Sequence, residues 1–363
     1  MDDVGPLSAI VNIPDSQSIN IIEMKTPLIG MTLDQLRGVA AETGLRPFAA
    51  GQMARWLYQK RVTDIGAMTD IPAAGRLRLE ENYVTGRELP LLRTLSSDGT
   101  AKYLFRGVGD RDVEAVMIPD ADRATLCISS QAGCRMGCTF CMTGRQGFHG
   151  QLTSAQIINQ ILSVDESEAL TNVVFMGMGE PTDNLSAVKE VIEILTAPWG
   201  LAWSPKRITV STIGNIPALR DLIETTKVHI ALSLHSPFAP EREGLMPVQR
   251  VWAAADVLAL VRRYDWSHQR RFSVEYIMWD GLNDDMRHAE ALARLLRGIH
   301  CRVNLIRFHA IPGSPLHTAP EARMVAFRDR LNELGITATI RASRGEDIMA
   351  ACGMLAGKKR DNC

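Results

Sequence analysis

Strand-like apolar runs alternate with amphipathic helical patterns from about residue 125 onward, and this alternation restricts the folds that the chain can adopt. Apolar periodicity predicts strands at residues 125–129, 172–176, 207–211, 228–234, 272–278 and 303–308. Helical patterns lie between them, at residues 154–164, 185–195, 251–263, 286–299 and 322–334. Strands that alternate with helices form parallel sheets with right-handed crossovers. Six such units, with no evident seventh and eighth, predict an α/β fold built as an open, partial (β/α)6 barrel, to which residues 337–341 add a final strand.

Smaller units are predicted around this barrel. Residues 91–119 contain short alternating runs broken by turn signals, which predict a β-hairpin or meander. The preceding stretch is mostly helical in pattern and predicts a small accessory domain. We therefore expect a poorly ordered leader, the accessory domain, the meander linker, the barrel core and a C-terminal tail, at residues 1–28, 29–90, 91–119, 120–345 and 346–363.

The second helix of the accessory domain combines cationic and aromatic side chains, namely Arg55, Trp56, Tyr58, Lys60 and Arg61. Such a combination could bind an RNA backbone and stack bases. It is also typical of an ordinary amphipathic helix with a solvated basic face and a buried tryptophan, since charge runs are usually solvated faces. The residues themselves leave both interpretations open.

Composition excludes several classes of protein. The 363 residues allow one large domain, or one large and one small domain. Forty Lys and Arg against 41 Asp and Glu give a formal charge of -1, so a nucleic-acid partner would need a local basic face. No apolar run is long enough to span a membrane and no signal pattern opens the chain, which predicts a soluble, cytoplasmic protein. Seven cysteines fit a reducing compartment better than a disulfide framework.

Three closely spaced cysteines follow the first predicted strand: Cys134, Cys138 and Cys141. Three thiolates on one short loop can ligate three irons of a four-iron cluster and leave the fourth iron open for a small molecule. Zinc is the alternative, but a structural zinc site needs a fourth ligand and usually a second Cys-x-x-Cys pair, which does not follow here. The spacing, with Phe140 before the last cysteine, resembles that of the radical S-adenosylmethionine (SAM) enzymes, in which the open iron binds SAM.

The ends of the other predicted strands carry polar or glycine-rich segments. Active groups on a barrel of this kind lie at the carboxyl ends of its strands. Taken singly, each segment is most simply a turn or a surface side chain. Together, beside the cysteine loop, they predict a SAM site. The candidates are Gly179, Glu180, Ser211, Ser233, His235 and His309.

Three further residues stay ambiguous on their own. Glu114 lies in an apolar run at residues 113–118, where a carboxylate either faces solvent or points into a site. Cys127 lies on the first predicted strand, seven residues before the cysteine loop, and Cys352 lies in the small-residue tail. The simplest interpretation of both cysteines is an inert thiol.

A wider resemblance includes these residues. The segments at residues 126–134, 141–144, 176–181, 233–235, 344–347 and 351–353 together resemble the RlmN family, and the similarity extends over nearly the whole chain from about residue 30. Members of that family are radical SAM enzymes that methylate C2 of adenosine in RNA. The related Cfr enzymes methylate C8 of the same adenosine and share the plan of two additional cysteines.

The resemblance implies a fold, a cofactor set and a mechanism. The fold would be the partial radical SAM barrel, and the accessory domain would bind RNA. Cys134, Cys138 and Cys141 would hold a [4Fe-4S] cluster, and the six strand-end residues would bind SAM, with His309 in the place of an Asn found in some relatives. In the implied mechanism Cys352 is first methylated on sulfur, and its methyl carbon then becomes linked to C2. Cys127 resolves this link through a transient disulfide with Cys352, and Glu114 accepts the proton from C2.

The implied substrate is adenosine 2503 of 23S rRNA, with adenosine 37 of tRNA as a second candidate. The implied electron donor is a protein such as flavodoxin or ferredoxin, and we expect a monomer. Two alternatives remain at this point. One is C8 methylation of the Cfr type, and the other is a non-catalytic iron-sulfur protein that binds RNA through inert Cys127 and Cys352.

Overall fold

The structure is a computed structural model that describes residues 25–268 and 270–359. Most of the predicted leader at residues 1–28 therefore lies outside the described residues, as does the last part of the predicted tail. None of the described helices is long and apolar enough to cross a membrane.

One large sheet of ten strands organises the chain. Seven of its strands run parallel to one another: β6 (Arg123–Cys127), β9 (Asn172–Phe175), β10 (Ile208–Thr212), β11 (His229–Ser233), β12 (Phe272–Met278), β13 (Cys301–Arg307) and β14 (Thr337–Ile340). The strand order begins at β14 and ends at β3 (Leu92–Leu95), and these two edges are not paired with each other. The predicted open, partial barrel with its additional final strand is thus confirmed.

The segment at residues 91–119 forms the predicted meander and continues the same sheet. It contains β3 (Leu92–Leu95), β4 (Ala101–Val108) and β5 (Arg111–Asp120), which pair antiparallel. β5 also pairs antiparallel with β6, so that Val116 lies opposite Cys127. Nearly every side chain in the middle of β5 is buried, including Glu114, because both faces of this strand are covered. Glu114 therefore does not lie on a solvated face.

Helices cover the outer face of the parallel strands. They are α5 (Ser154–Leu162), α6 (Leu185–Thr196), α7 (Ile216–Thr225), α8 (Ala239–Leu245), α9 (Ala254–Val261), α10 (Met286–Leu296) and α11 (Glu321–Glu333). α5 shows why these segments are helical. Thr153 and Gln156 form a capping box at its start, and Ile157, Ile158 and Ile161 recur on the face that packs on the sheet.

A short excursion from this pattern carries the cysteine loop. β7 (Gln131–Gly133) pairs antiparallel with β8 (Phe148–Gln151), and the short helix α4 (Met142–Arg145) lies between them. The loop between β7 and α4 contains the three clustered cysteines. β6 leads into this excursion through residues 128–130, so the loop lies beyond the carboxyl end of the first parallel strand.

The accessory unit consists of β1 (Thr26–Pro27), α1 (Leu33–Glu42), α2 (Ala49–Ala54), α3 (Ala73–Asn82) and β2 (Tyr83–Val84). β1 and β2 pair in parallel and tie its two ends together. Its buried side chains, among them Leu36, Met53 and Leu79, join the same apolar core as those of the barrel. The helical prediction for this part of the chain agrees with the structure.

The basic and aromatic segment that follows α2 is a π-helical turn at Arg55–Gln59. Tyr58 is fully buried and its hydroxyl donates to the carbonyl of Met31, so of the two interpretations left open by the sequence, this ring fits the packed amphipathic helix. The side chains of Arg55 and Trp56 both bind Asp70. The ammonium group of Lys60 lies 3.6 Å from the centre of the Trp56 ring. Most of this segment therefore makes contacts within the protein.

Candidate active site

The carboxyl ends of the parallel strands surround a cavity that borders the cysteine loop, here called the strand-end cavity. Many of its lining residues lie at or just beyond the end of a strand, where the regular ladder stops and side chains can turn inward. Nine predicted site residues line this cavity: Cys134, Cys138, Cys141, Gly179, Glu180, Ser211, Ser233, His235 and Cys352. The structure thus brings together residues that come from five separate parts of the sequence.

The cysteine loop places its thiols in a largely buried environment. The backbone N–H of Cys134 donates to the carbonyl of Gly147 at 2.9 Å, which anchors the start of the loop against β8. Burial raises the pKa of the Cys134 thiol to about 12 and that of Cys138 well above its ordinary value. Negative charge on Cys141 raises both pKa values further. These sulfurs therefore need nearby positive charge to remain thiolates, which a bound metal centre would provide.

The spread of donors in this loop can be compared with the two metal centres that the sequence suggests. Within residues 25–268 and 270–359, no three Cys, His, Asp or Glu side chains are close enough together to hold a single metal ion. A zinc ion needs all its sulfurs at about 2.3 Å from one point. In an iron-sulfur cluster, by contrast, each thiolate binds its own iron. Three thiols that line one cavity without meeting at a single point therefore match an iron-sulfur cluster better than a zinc ion.

Glu180 is the buried carboxylate of the strand-end cavity. One of its oxygens accepts from the backbone N–H of Thr182 at 3.2 Å and from the Thr182 hydroxyl, and the other accepts from the backbone N–H of Ile213 at 3.1 Å. Burial raises the pKa of Glu180, and these hydrogen bonds act in the opposite direction. A fixed carboxylate of this kind suits an ammonium group of a ligand.

His235 has an unusual backbone and a defined tautomer. Its φ is +62°, in the left-handed region that non-glycine residues seldom adopt, and the carbonyl is held by the side-chain amide of Asn283 at 2.7 Å. Nδ1 accepts from the backbone N–H of Ile277 at 3.1 Å, which leaves Nε2 to carry the proton. Burial, with a further contribution from Arg242, lowers the pKa of His235 to about 3. The ring is thus a neutral donor, packed edge-on against Phe140.

A second cavity adjoins the first and contains the other two cysteines; it is here called the sulfur cavity. Cys127 reaches it from the end of β6, and Cys352 reaches it from the C-terminal tail. The two cavities share Cys141, Met176, Ile306, Arg341 and Cys352 along their common wall. Cys352 therefore faces both the strand-end cavity and Cys127.

Burial disfavours the thiolate form of both Cys127 and Cys352. Burial raises the pKa of the Cys127 thiol to about 12 and also raises that of Cys352. Negative charge on Cys352 raises the pKa of Cys127 further, in keeping with their position in one cavity. Cys352 is surrounded by protein atoms and is nevertheless reached by solvent, because its side chain points into an open cavity.

His309 lines the sulfur cavity and is not among the residues that line the strand-end cavity. Its Nδ1 lies 2.9 Å from a carboxylate oxygen of Glu346, and Nε2 lies 3.4 Å from the hydroxyl of Ser343. Both partners belong to the chain that leads to Cys352. The structure therefore separates His309 from the five other strand-end residues that the sequence grouped with it.

Glu114 is buried and lines neither cavity. Oε1 forms an ion pair with Lys102 at 3.0 Å. Oε2 accepts from the backbone N–H groups of Ala356 and Gly357 at 2.9 and 3.2 Å. The carboxylate thus touches the chain that follows Cys352 rather than the cysteine itself.

Three charged residues at the site were missed by sequence reasoning. Arg242 is fully buried, and its guanidinium donates to the carbonyls of Ile213 and Ser233, which fixes two strand ends. Glu275 and Arg341 form an ion pair in the shared wall region. Glu275 had the same signal as Glu114, a carboxylate inside an apolar run. Arg242 and Arg341 had no such signal, because each lies in an ordinary polar stretch.

A larger cavity of about 660 Å³ lies outside the barrel, between α6 and α7. Lys189, Glu190 and Asp221 are among its lining residues, and no cysteine is. Its size alone does not make it the candidate site, since it lacks the clustered sulfur and carboxylate groups of the strand-end cavity.

Comparison with known protein families gives two matches along the chain. Residues 128–293 match the radical SAM superfamily. Residues 26–84 match the N-terminal domain of ribosomal RNA large subunit methyltransferases. The first match includes the cysteine loop and most of the strand ends, and the second covers the accessory unit.

Individual relatives extend this similarity to nearly the full length. A probable dual-specificity RNA methyltransferase RlmN of Parabacteroides distasonis is 57% identical over 92% of this chain and 98% of its own. A dual-specificity RNA methyltransferase RlmN of Alkalilimnicola ehrlichii is 41% identical over 92% of this chain and 94% of its own. The crystal structure of a radical SAM methyltransferase from Sphaerobacter thermophilus is 38% identical, covers 91% of this chain and 99% of its own, and superimposes with a TM-score of 0.85.

Proposed function

Because the chain belongs to the RlmN family of radical SAM RNA methyltransferases, we propose that it methylates C2 of adenosine 2503 in 23S rRNA. Adenosine 37 of tRNA is the proposed second substrate, in line with the dual specificity named for the relatives. The observation that carries the proposal is the meeting of Cys127 and Cys352 in one cavity beside the strand-end cavity. A protein that only bound RNA would have no use for this pairing.

The proposed cofactor site is the strand-end cavity. We assign Cys134, Cys138 and Cys141 to a [4Fe-4S] cluster, since the match to the radical SAM superfamily implies such a cluster and these three thiols line one cavity. We assign Gly179, Glu180, Ser211, Ser233 and His235 to SAM. When bound, the cluster and SAM would supply the methyl group and the carbon radical that activates it. Glu180 would then accept from the ammonium group of the ligand, and Nε2 of His235 would donate to an acceptor on it.

The proposed covalent chemistry belongs to the two cysteines. C2 of adenine is electron-poor and does not attack a methyl cation donor as a nucleophile, so the methyl carbon first has to be held on the protein. Cys352 is suited to carry it as S-methylcysteine, because it faces both cavities. Cys127 is suited to resolve the resulting link between Cys352 and RNA, because disulfide formation requires two sulfurs that can come together and both cysteines line one cavity.

Glu114 remains the proposed proton acceptor for C2. Its carboxylate is held by Lys102 and by the backbone of Ala356 and Gly357. In this role it would exchange its contacts with the tail for the proton on C2, which links proton removal to a movement of the tail. His309 is kept as a further candidate for binding SAM. Its alternative role is to hold the chain that leads to Cys352 through its contacts with Glu346 and Ser343.

Further parts of the proposal concern partners and location. The formal charge of -1 requires that RNA contact a local basic surface. Arg344 lies in the wall of the sulfur cavity and Lys358 is exposed on the tail, so both are candidates for this surface. A flipped adenine would expose C2 to Cys352. We further propose an electron donor of the flavodoxin or ferredoxin type, a cytoplasmic location and a monomeric state.

Mass spectrometry of nucleosides tests the proposed reaction directly. Unmodified 23S rRNA is incubated anaerobically with the reconstituted protein, SAM and a reductant, and the digested RNA is then analysed. We expect 2-methyladenosine, and the same assay on tRNA tests the second substrate. The appearance of 8-methyladenosine would instead assign the protein to the Cfr type of chemistry. No methyladenosine from protein with a complete cluster would refute the proposal.

A further inference from the structure

Arg341 lies where the two cavities meet and lines both of them. It follows the last residue of β14, and its backbone N–H donates to the carbonyl of Leu305 at 2.9 Å. Its own carbonyl accepts from the side chain of Arg307 at 2.8 Å. The main chain of Arg341 is thus fixed on both sides, so its side chain starts from a defined position.

Glu275 directs the side chain of Arg341. This glutamate is 4% exposed, and one of its oxygens lies 3.5 Å from Nη1 of Arg341. Its other oxygen accepts from the side chains of Asn304 and Ser273 at 2.8 and 3.0 Å. Nη1 of Arg341 also lies 3.8 Å from the sulfur of Met176. A buried carboxylate that is itself anchored therefore holds the guanidinium in the wall between the cavities.

Arg341 is also the cation that acts on both reacting sulfurs. Burial raises the pKa values of Cys127 and Cys352, whereas the positive charge of Arg341 lowers both of them. Other basic groups of the sulfur cavity have partners of their own, since Arg307 is paired with Glu321 and His309 with Glu346. Arg344 is the remaining charged residue among those that line the sulfur cavity.

We propose that Arg341, held by Glu275, is a positioning residue for the resolution step, in which its guanidinium stabilises the thiolate of Cys127 as this attacks Cys352. The inference rests on the proposed two-cysteine function. It adds a residue to which neither the family resemblance nor the sequence pattern assigns a role. Arg341 acts through Cys127 and does not itself exchange atoms with the substrate.

The step that Arg341 assists is balanced within the site. The sulfur of Cys127 forms a bond to the sulfur of Cys352, and the bond between that sulfur and the methylene carbon on RNA breaks. The electron pair of the broken bond leaves on the carbon, which takes up one proton from water and becomes the methyl group. The two sulfurs are oxidised to a disulfide and the carbon is reduced, so no further oxidant takes part. A thiolate is required because a neutral thiol is a poor nucleophile.

Alkylation of Cys127 measures its thiolate without any turnover. The reconstituted protein, without SAM or RNA, is treated anaerobically with iodoacetamide at a series of pH values, and peptide mass spectrometry follows Cys127. In Arg341→Met we expect an alkylation rate about tenfold lower than in the wild type at equal pH, the equivalent of one pKa unit. Arg341→Lys should restore most of the rate. Arg302→Met, which removes an exposed arginine from β13, should leave the rate unchanged.

Turnover with RNA tests the resolution step itself. Arg341→Met should accumulate a covalent protein-RNA adduct on denaturing gels, as Cys127→Ala should, but raising the pH should clear the adduct only in Arg341→Met. Glu275→Gln should show the same defect more weakly, about threefold, and it serves as the test if Arg341→Met does not retain its iron. The inference is overturned if Arg341→Met, or Glu275→Gln in its place, resolves the adduct at the wild-type rate and pH profile while Cys127→Ala accumulates it. If Cys127→Ala forms no adduct and the wild type makes no methyladenosine, the proposed function fails instead.

Discussion

The strand ends and the C-terminal tail border each other at the site, but they are held in place by different interactions. Ser211 and Ser233 belong to parallel strands whose ladder hydrogen bonds and buried side chains fix them in the sheet. The tail segment (residues 343–359) has no regular ladder over most of its length. It is attached by individual polar contacts to the β3–β5 meander and to α4.

Those contacts occur along the whole tail segment. Asp98 accepts from the backbone N–H of Gly345 at 3.0 Å, and the carboxylate of Asp347 accepts from the hydroxyl of Ser96 at 2.6 Å. Beyond Cys352, the hydroxyl of Thr143 donates to the carbonyl of Leu355 at 2.6 Å. Hydrogen bonds therefore hold the chain on both sides of Cys352.

The difference matches the tasks of the two regions. A cofactor site requires fixed geometry, which a parallel sheet supplies. In the proposed reaction, the cysteine that carries the methyl group has to face the strand-end cavity, then RNA, and then Cys127. A segment held by separate polar contacts can open locally at lower free energy than a strand buried in a sheet. The strand ends thus form a rigid binding side, and the tail segment forms a movable side that carries Cys352.

Removal of the carrier sulfur should have the largest effect. We expect Cys352→Ala to reduce RNA methylation by about 10³-fold or more, because the methyl carbon would have no covalent carrier. Iron content should stay normal, since the proposed ligands lie on a different loop. Nucleoside mass spectrometry and iron analysis measure the two quantities. Cys301→Ala, at the start of β13 and outside both cavities, is the matched control. Ordinary turnover in Cys352→Ala would rule out the two-cysteine scheme.

The rigid side can be disturbed through a single glycine. Gly133 has a φ of +73°, and a Cβ at this position would overlap the carbonyl oxygen of Gly147. Gly133→Ala should therefore displace the start of the cysteine loop and lower the iron content per chain by about half or more. Gly137→Ala is the control in the same loop, because its φ of +64° is similar but no atom lies closer than 4.0 Å to the added carbon. Equal iron contents in the two variants would show that the loop is less constrained than the strand ends.

The carrier side should respond to loss of its anchors. We expect Asp98→Ala combined with Asp347→Ala to lower methylation about tenfold, because the tail loses its hydrogen bonds to the meander through the Asp98 carboxylate on the meander and the Asp347 carboxylate on the tail. Trypsin should cleave after Arg344 faster in this variant, whereas iron content should not change. Asp122→Ala, at an exposed turn, is the control. A large loss of iron in the double variant would mean that the two sides are not independent.

The smallest expected effect is a loss of folding stability at acidic pH that arises from His235. Burial lowers its pKa to about 3 in the folded protein, so between the ordinary value of 6.5 and that value only the unfolded chain is protonated. Stability is therefore lost as the pH falls below about 6.5, by about 1 kcal/mol between about pH 7.5 and about pH 5.5. His235→Asn lacks this titration, accepts the left-handed backbone and keeps an acceptor for Ile277. Denaturant unfolding at both pH values should show a smaller loss in the variant than in the wild type.

Much of this protein follows from local patterns in its sequence. The alternation of apolar runs and helical patterns predicted the six strand-helix units, because periodicity depends on neighbouring residues alone. The three cysteines of the loop and the polar residues after each strand were identifiable for the same reason, since parallel strands end at one edge of a sheet. Gly179, Glu180, Ser211, Ser233 and His235 accordingly line one cavity. The resemblance to the RlmN family then suggested roles for Cys127 and Cys352.

The tertiary structure decided which side chains meet across distant segments. Glu114 pairs with Lys102 and accepts a hydrogen bond from the tail. His309 pairs with Glu346, and Arg341 pairs with Glu275. No local pattern contains these pairings, because they depend on which strands become neighbours and on which way a side chain leaves its strand. Tyr58 illustrates the same limit of sequence patterns. An aromatic ring among basic residues is typical of an RNA contact, yet this ring is buried in the core. Periodicity determines where a residue lies along an element, whereas packing determines what it touches.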